Sequence, residues 1–270
     1  MKVVFIGGGN MATALISGLL KKGSSPSDLL VVDVAEEARA KFEAMQISTA
    51  PNFIDSDFNP DVVVLAVKPQ NLKEVVQSCA SSLKTSLIIS IAAGIPIASI
   101  TQWLNGYSRI IRVMPNTPAL IQAGVSGMYG DDMTIGDREL AENVMSCVGQ
   151  HIWCETESLI DVVTAISGSG PAYVFYFIEA LEAVGVELGL DRAAAGLLAV
   201  ETFLGAASLA ARSEESISVL RERVTSKGGT TAAALASFDE DKLKDMIARG
   251  VRCARDRSEE LANDFGEGDQ

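Results

Sequence analysis

The chain has 270 residues, enough for one large domain or two modest ones, and 48% of it is apolar, which supports a sizeable core rather than disorder. A formal net charge of −13 repels nucleic acid and anionic lipid and excludes both as principal partners. The apolar run after Lys2 is too short for a signal peptide, and the most apolar later segment carries Glu179, Glu182, Glu187, Asp191 and Arg192, which argues against a membrane span.

The first element is the informative one. Residues 3–6 are apolar and read as a buried parallel strand. Gly7, Gly9 and Ala12 follow on a G-x-G-x-x-A spacing, and 12–20 continues with helical periodicity. Gly7 permits a tight turn, Gly9 lets backbone approach a pyrophosphate, and Ala12 lets helix and strand pack closely. The pyrophosphate would rest on the free N–H groups of the helix start. A second apolar strand, 29–32, ends in Asp33, at the spacing expected of a ribose-binding acid.

Strand and helix patterns then alternate. A helix is expected over 35–45, a strand over 61–67 ending at Lys68-Pro69, a helix over 69–79 and a strand over 87–91. Strands follow at 109–114 and 124–129, separated by the turn-rich Pro115-Asn-Thr-Pro118. A helix over 137–148 and a short strand at 151–154 close the series. Such alternation predicts an α/β fold, with a mostly parallel, doubly wound sheet and helices on both faces. Ligands then gather at the carboxyl ends of the strands. After about Glu157 the texture becomes helical, with helices expected at 172–188, 191–212, 214–223, 230–237 and 240–263, and a tail that frays from Glu259 onward. The alanines of the second of these helices fit either a close helix–helix contact or plain helix propensity.

Cys79, Cys147, Cys154 and Cys253 form no C-x-x-C pair, so reduced thiols in a cytoplasm are expected, with neither a disulfide framework nor a metal site. His151, the single histidine, reads as a strand-end residue, which leaves little for a histidine-based hydrolase. In Val224-Thr-Ser-Lys-Gly-Gly-Thr-Thr231, Thr230 or Thr231 could cap the following helix. The same helix start could instead take a carboxylate, with a threonine hydroxyl on a ring nitrogen. Lys227 precedes the glycines rather than following them, which disfavours a nucleoside-triphosphate loop.

The stretches FIGGGNMA (5–12), AVKP (66–69), RVMPNTP (112–118), LIDVVTAISGSGPAYVFYFIEAL (159–181) and VTSKGGTT (224–231), in this order, resemble the pyrroline-5-carboxylate reductase family over roughly residues 1 to 260. The resemblance implies a dinucleotide-binding Rossmann-like domain over 1–157, followed by an all-α dimerisation and substrate domain over 158–270. It also implies an obligate homodimer whose helices interleave, with dimers often assembled into a decamer. The implied activity is hydride transfer from NADH or NADPH to the C=N bond of a small imino acid, 1-pyrroline-5-carboxylate, giving proline in the cytoplasm.

By the same resemblance, the backbone at Ile6, Gly7, Gly8, Gly9, Asn10 and Met11 would hold the pyrophosphate and Asn52 the adenosine ribose. Ala66, Val67, Lys68 and Pro69 would line the nicotinamide half, with Ile91, Ala92 and Ala93 beside the ring. Gly228, Gly229, Thr230 and Thr231 would take the substrate carboxylate, the Thr231 hydroxyl would reach the ring nitrogen, and Ser226 would lie close by.

Two positions depart from the family pattern. Asp33-Val34 stands where many relatives carry residues suited to a 2′-phosphate. A carboxylate there accepts from a free 2′-hydroxyl and repels a phosphate, which favours NADH. The alternative turns Asp33 to solvent and lets Arg39 serve the phosphate. Arg223 stands where relatives commonly carry Asn. Two rivals remain. A β-hydroxyacid dehydrogenase would need a catalytic lysine, but no lysine follows Ser167-Gly-Ser-Gly-Pro-Ala-Tyr173 before Lys227. A non-enzymatic dinucleotide sensor would have no use for the 224–231 loop.

Overall fold

The computed structural model describes residues 1–53, 58–83 and 85–266. In its first part, strands and helices alternate: β1 (Val3–Ile6), α1 (Asn10–Lys21), β2 (Leu29–Val32), α2 (Glu36–Glu43), β3 (Ser48–Ala50), β4 (Val62–Leu65), α3 (Pro69–Cys79), β5 (Leu87–Ser90), α4 (Ile97–Trp103), β6 (Ile110–Met114), β7 (Gly124–Tyr129), α5 (Ile135–Met145), β8 (Gly149–Trp153) and α6 (Leu159–Val163). The strands form one eight-stranded sheet in the order β3-β2-β1-β4-β5-β6-β7-β8. All neighbours are parallel except β6 and β7.

The continuous apolar runs read from the sequence are the central strands. β1, β2, β4 and β5 are buried along their whole length, as strands covered on both faces must be. Alternate residues feed two cores. Val3, Phe5, Val31 and Val64 pack with Leu15 and Ile16 of α1, Phe42 of α2 and Val144 of α5. Val4, Ile6, Val63 and Leu65 pack on the other face with Leu72 and Val76 of α3 and Ile100 of α4. Each such side chain stabilises the fold by about 1.5–3 kcal/mol. The sheet's edges behave differently: β3 is partly exposed, and β8 alternates between half-buried and exposed. His151 lies in the middle of that edge strand rather than at its end, half-buried and 4.0 Å from Glu142.

The chain divides into two compact units: Met1–Ser169 together with the stretch from Ala254, and Gly170–Cys253. The second unit holds α7 (Gly170–Glu187), α8 (Arg192–Ala211), α9 (Ile217–Arg223), α10 (Thr230–Glu240) and the first turns of α11 (Leu243–Gly266). α7 ends two residues before Gly189, whose φ of +105° turns the chain away from the helix. α7 and α8 pack as a hairpin in which a Cβ on Gly185 would lie 3.0 Å from Ala195 Cβ. The alanine-rich helix therefore serves close approach at the buried Ala195 and Ala199, while Ala193, Ala206 and Ala207 are exposed. The rest of this unit's apolar surface is open: Phe175, Tyr176, Leu188 and Leu197 are 66, 74, 80 and 63% exposed. By length and composition α8 is long and apolar enough to cross a membrane, and 11% of it is buried.

Three local expectations change. β3 and α4 lie outside the elements the sequence predicts; β3 is a short polar segment that pairs at an edge, and α4 follows Gly94-Ile-Pro96 without a side-chain cap on its N-cap residue. α6 runs into a single π-turn, Thr164–Gly168. The frayed tail is also corrected, because α11 continues to Gly266 and Ser258 and Leu261 pack within the first unit; residues 267–270 lie outside the described residues.

Gly18, buried in α1, decides between two opposing effects. Alanine is worth about 1 kcal/mol more than glycine inside a helix. A Cβ there would stand 2.5 Å from the Cys147 carbonyl oxygen. Overpacking of this kind costs about 1–3 kcal/mol, and the obstacle is backbone. Gly18→Ala is expected to lower the urea midpoint; a raised midpoint would show that α1 shifts freely.

Candidate functional site

The carboxyl ends of β1, β2 and β4 meet at the glycine turn. Gly7 has φ +103° and donates its N–H to Val32 O at 2.8 Å, while Ala66 N–H reaches Ile6 O at 2.8 Å. A Cβ on Gly7 would lie 2.7 Å from the Ala66 carbonyl carbon, so this turn requires a residue without a side chain. A Cβ on Gly9 would meet nothing within 4 Å, which leaves the approach to the helix start open. Ala12 is fully buried against the sheet. α1 begins at N-cap Gly9 with no side-chain cap and no acid in its first turn. These features fit a dinucleotide pyrophosphate, whose charge the free N–H groups and helix dipole would meet.

A cleft of about 420 Å³ opens at this edge. Of the residues expected at a cofactor site, Ile6, Gly7, Gly8, Gly9, Asp33, Asn52, Ala66, Val67 and Lys68 line it. Asn10, Met11, Pro69, Ile91, Ala92 and Ala93 do not. The last three form the loop after β5, where Ile91 N–H donates to Leu65 O at 3.1 Å and so holds the loop beside the end of β4. Sequence reasoning missed Asn71, Val75, Ser78 and Cys79, which form one wall. Their spacing of three to four residues on α3 was the available signal, since they share a helix face. Cys79 contributes no nucleophile: burial pushes its thiol up to about 11, and Sγ donates to Val75 O at 3.0 Å.

Asp33 is turned inward, against the alternative in which it faces solvent. Oδ2 accepts from Gly8 N–H at 2.7 Å and Oδ1 from Ala35 N–H at 2.9 Å. Arg39 Nη1 donates to the carbonyls of Asp33 and Val34 at 2.7 and 3.0 Å rather than to the carboxylate. Lys41 Nζ braces the turn by donating to Gly8 O at 2.5 Å and Thr13 Oγ1 at 3.0 Å.

In the second unit, the 224–231 loop turns through Gly228, whose φ is +72°, and Gly229 N–H donates to Ser226 O at 3.0 Å. The N-cap of α10 is Gly229, with no side-chain cap bond. Thr230 and Thr231 are the first two helical residues, so neither is the cap, and the helix's leading N–H groups have no side-chain cap. Ser226 and Thr230 are exposed and Thr231 is half-buried. Arg223 pairs with Glu215 Oε1 at 2.6 Å. Among the described residues no group of three or more His, Cys, Asp or Glu is arranged to hold a metal.

A family model for pyrroline-5-carboxylate reductase dimerisation matches residues 157–261, and one described as NADP oxidoreductase, coenzyme F420-dependent, matches residues 2–94. The pyrroline-5-carboxylate reductase of Pseudomonas aeruginosa is 42% identical over 269 residues, covering 98% of this chain and 98% of the relative. The solved structure of the Coxiella burnetii pyrroline-5-carboxylate reductase superposes with a TM-score of 0.92 at 38% identity, covering 97% and 98% of the two chains. The Plasmodium falciparum pyrroline carboxylate reductase, solved with NADP bound, superposes with a TM-score of 0.84 at 26% identity, covering 97% and 98%.

Gly7→Ala is expected to push Ala66 and Val67 away from β1 and to strain the turn by about 1–3 kcal/mol. The dissociation constant for NADH, followed by nicotinamide fluorescence, should rise by about tenfold or more. Unchanged affinity would separate the turn from nucleotide binding.

Proposed function

The chain belongs to the pyrroline-5-carboxylate reductase family, and we propose on that basis how its residues divide the work. It is an NAD(P)H-dependent oxidoreductase that reduces the C=N bond of 1-pyrroline-5-carboxylate to L-proline, the last step of proline biosynthesis. The bound nicotinamide supplies the hydride. The protein's part is placement, because a protonated cyclic imine needs no metal or covalent lysine to accept it.

In the proposed arrangement residues 1–157 bind the dinucleotide and 158–270 supply the substrate loop and the subunit contacts. The backbone at Ile6–Met11 holds the pyrophosphate, and Asn52 bonds the adenosine ribose. Ala66, Val67, Lys68 and Pro69 flank the nicotinamide half, with Ile91, Ala92 and Ala93 beside the ring. The amides of Gly228–Thr231 take the substrate carboxylate. The Thr231 hydroxyl bonds the ring nitrogen, with Ser226 near it.

One observation supports this assignment: α1 and α10, the two helices assigned to anions, start on glycine N-caps without side-chain caps, whereas α5, α8 and α9 start on the side chains of Thr134, Asp191 and Ser216, and the other uncapped starts, α2, α3, α4 and α6, carry Ala35, Lys68, Pro96 and Ser158 at the cap rather than glycine. An uncapped start keeps its donors for a ligand.

NADH is the preferred cofactor in this reading. Asp33 is held on backbone amides with no cation on its carboxylate among the described residues, so a 2′-phosphate would meet an uncompensated charge. Arg39, beside the same strand end, supports a second reading in which NADPH is also used. The chain assembles as a homo-oligomer. We assign an obligate dimer that builds towards a decamer, supported by the open apolar surface of α7 and α8, which a second subunit rather than lipid covers. A cytoplasmic location fits the four free cysteines.

Two measurements test these assignments. kcat/KM for NADH should equal or exceed that for NADPH, and an advantage of about tenfold for NADPH, or 1.4 kcal/mol, would overturn the role of Asp33. Thr231→Val should lower kcat/KM for the imine by about 10- to 100-fold, the worth of one hydrogen bond to a charged group. NADH affinity should hold; unaltered kinetics would remove Thr231 from the reaction.

A further inference from the structure

Two family stretches that the proposed chemistry leaves unused, 112–118 and 159–168, meet in the first unit around a buried arginine. Arg112, in β6, is 3% exposed. Its Nη1 donates to Glu157 Oε1 and its Nη2 to Asp161 Oδ1, each at 3.2 Å. Both acceptor oxygens are shared. Glu157 Oε1 also accepts from Ile97 N–H at 2.8 Å, the first residue of α4, and Asp161 Oδ1 accepts from Ser258 Oγ of α11 at 2.8 Å. One turn beyond Ser258, Leu261 covers Gly94: φ there is +73°, and a Cβ would lie 3.2 Å from Leu261 Cβ.

The loop between β5 and α4 is thus held at three points. Ile91 is tied to Leu65, Ile97 to Glu157, and Gly94 lies under Leu261. A buried ion cluster is a poor source of net stability, because desolvation offsets most of the attraction. What it supplies is fixed geometry, and the geometry fixed here is that of the loop carrying Ile91, Ala92 and Ala93.

We propose that Arg112, Glu157 and Asp161, closed from outside by Ser258 and Leu261 of the C-terminal helix, are positioning residues that hold the β5–α4 loop against the nicotinamide ring. The inference rests on the assignment of that loop to the ring made under the proposed function. It gives the end of α11 a part in the reaction without contact to substrate or cofactor. It also separates the two halves of the dinucleotide, since the glycine turn holds one half and the clamped loop aligns the other.

Arg112→Ala would leave the buried Asp161 and the half-buried Glu157 without their shared cation and is unsuited as the test. Ser258→Ala and Leu261→Ala, made in the full chain, remove only the outer closure. In both, kcat should fall by about tenfold, the scale of a small misplacement of reacting groups. The fluorescence enhancement of bound NADH should shrink, while the affinity for ADP-ribose, which lacks the ring, stays unchanged. Ser258→Thr keeps the hydroxyl and should restore both signals. Unchanged kcat and fluorescence, even with a lower Tm, would reduce the cluster to a strut and end the proposal. An equal loss of ADP-ribose affinity would also end it, because the whole domain would then be disturbed. If the unsubstituted chain enhances NADH fluorescence but does not oxidise it with pyrroline-5-carboxylate, the reaction assigned above fails, and the fluorescence comparison still decides the clamp.

Discussion

Gly7 has room for a hydrogen and nothing larger on the side facing Ala66. That single approach lets the chain turn at the carboxyl end of β1 while β4's loop closes over it, and Asp33 completes the turn by accepting from Gly8. Three strand ends then share one rim, and the cleft beside α3 is what remains between them. A side chain at residue 7 would part these loops, and each could still exist as a turn without forming a site.

The chain's charge makes the local arrangement necessary. At −13 the protein as a whole repels an anionic dinucleotide and does nothing to draw in the carboxylate of an imino acid. Attraction has to come from oriented dipoles at short range, where the N–H groups of a helix start outweigh distant carboxylates that salt screens. Glycine N-caps on α1 and α10 preserve those donors, and the exposed Lys68 adds a local cation at the cleft. Burial keeps the Cys79 thiol on the α3 wall uncharged, so it adds no anion to the cleft.

The second unit is built on a different constraint. Its α7–α8 hairpin buries small residues and leaves large ones outside: Ala195 and Ala199 are covered, while Phe175, Tyr176 and Leu197 are not. Association with a second subunit would cover such a face, and the chain matches a pyrroline-5-carboxylate reductase dimerisation model over 157–261. The C-terminal helix reverses the pattern. Its final turns carry Ser258 and Leu261 into the first unit, where a buried carboxylate and a glycine receive them.

Read alone, the sequence determined the alternating sheet, the glycine turn and the boundaries of β1, β2, α3 and β7, because each is a local pattern: a continuous apolar run, a fixed glycine spacing, a helical period. It also determined the chemistry available, with one histidine, no paired cysteines and a glycine-threonine loop before a helix. It could not show that β3 would be a strand, since three half-polar residues become one only when Leu30–Val32 lies alongside to pair with them. Nor could it show that Asp33 would fold back onto Gly8, that Thr230 and Thr231 would leave the capping position to Gly229, or that the last helix would run past 263 to Gly266. Each of those outcomes depends on a partner distant in sequence or on the backbone angle of a neighbouring residue. Arg112, Asp161 and Ser258 are the extreme case: separated by 49 and 97 positions, they become one interaction only when β6, α6 and α11 are packed together.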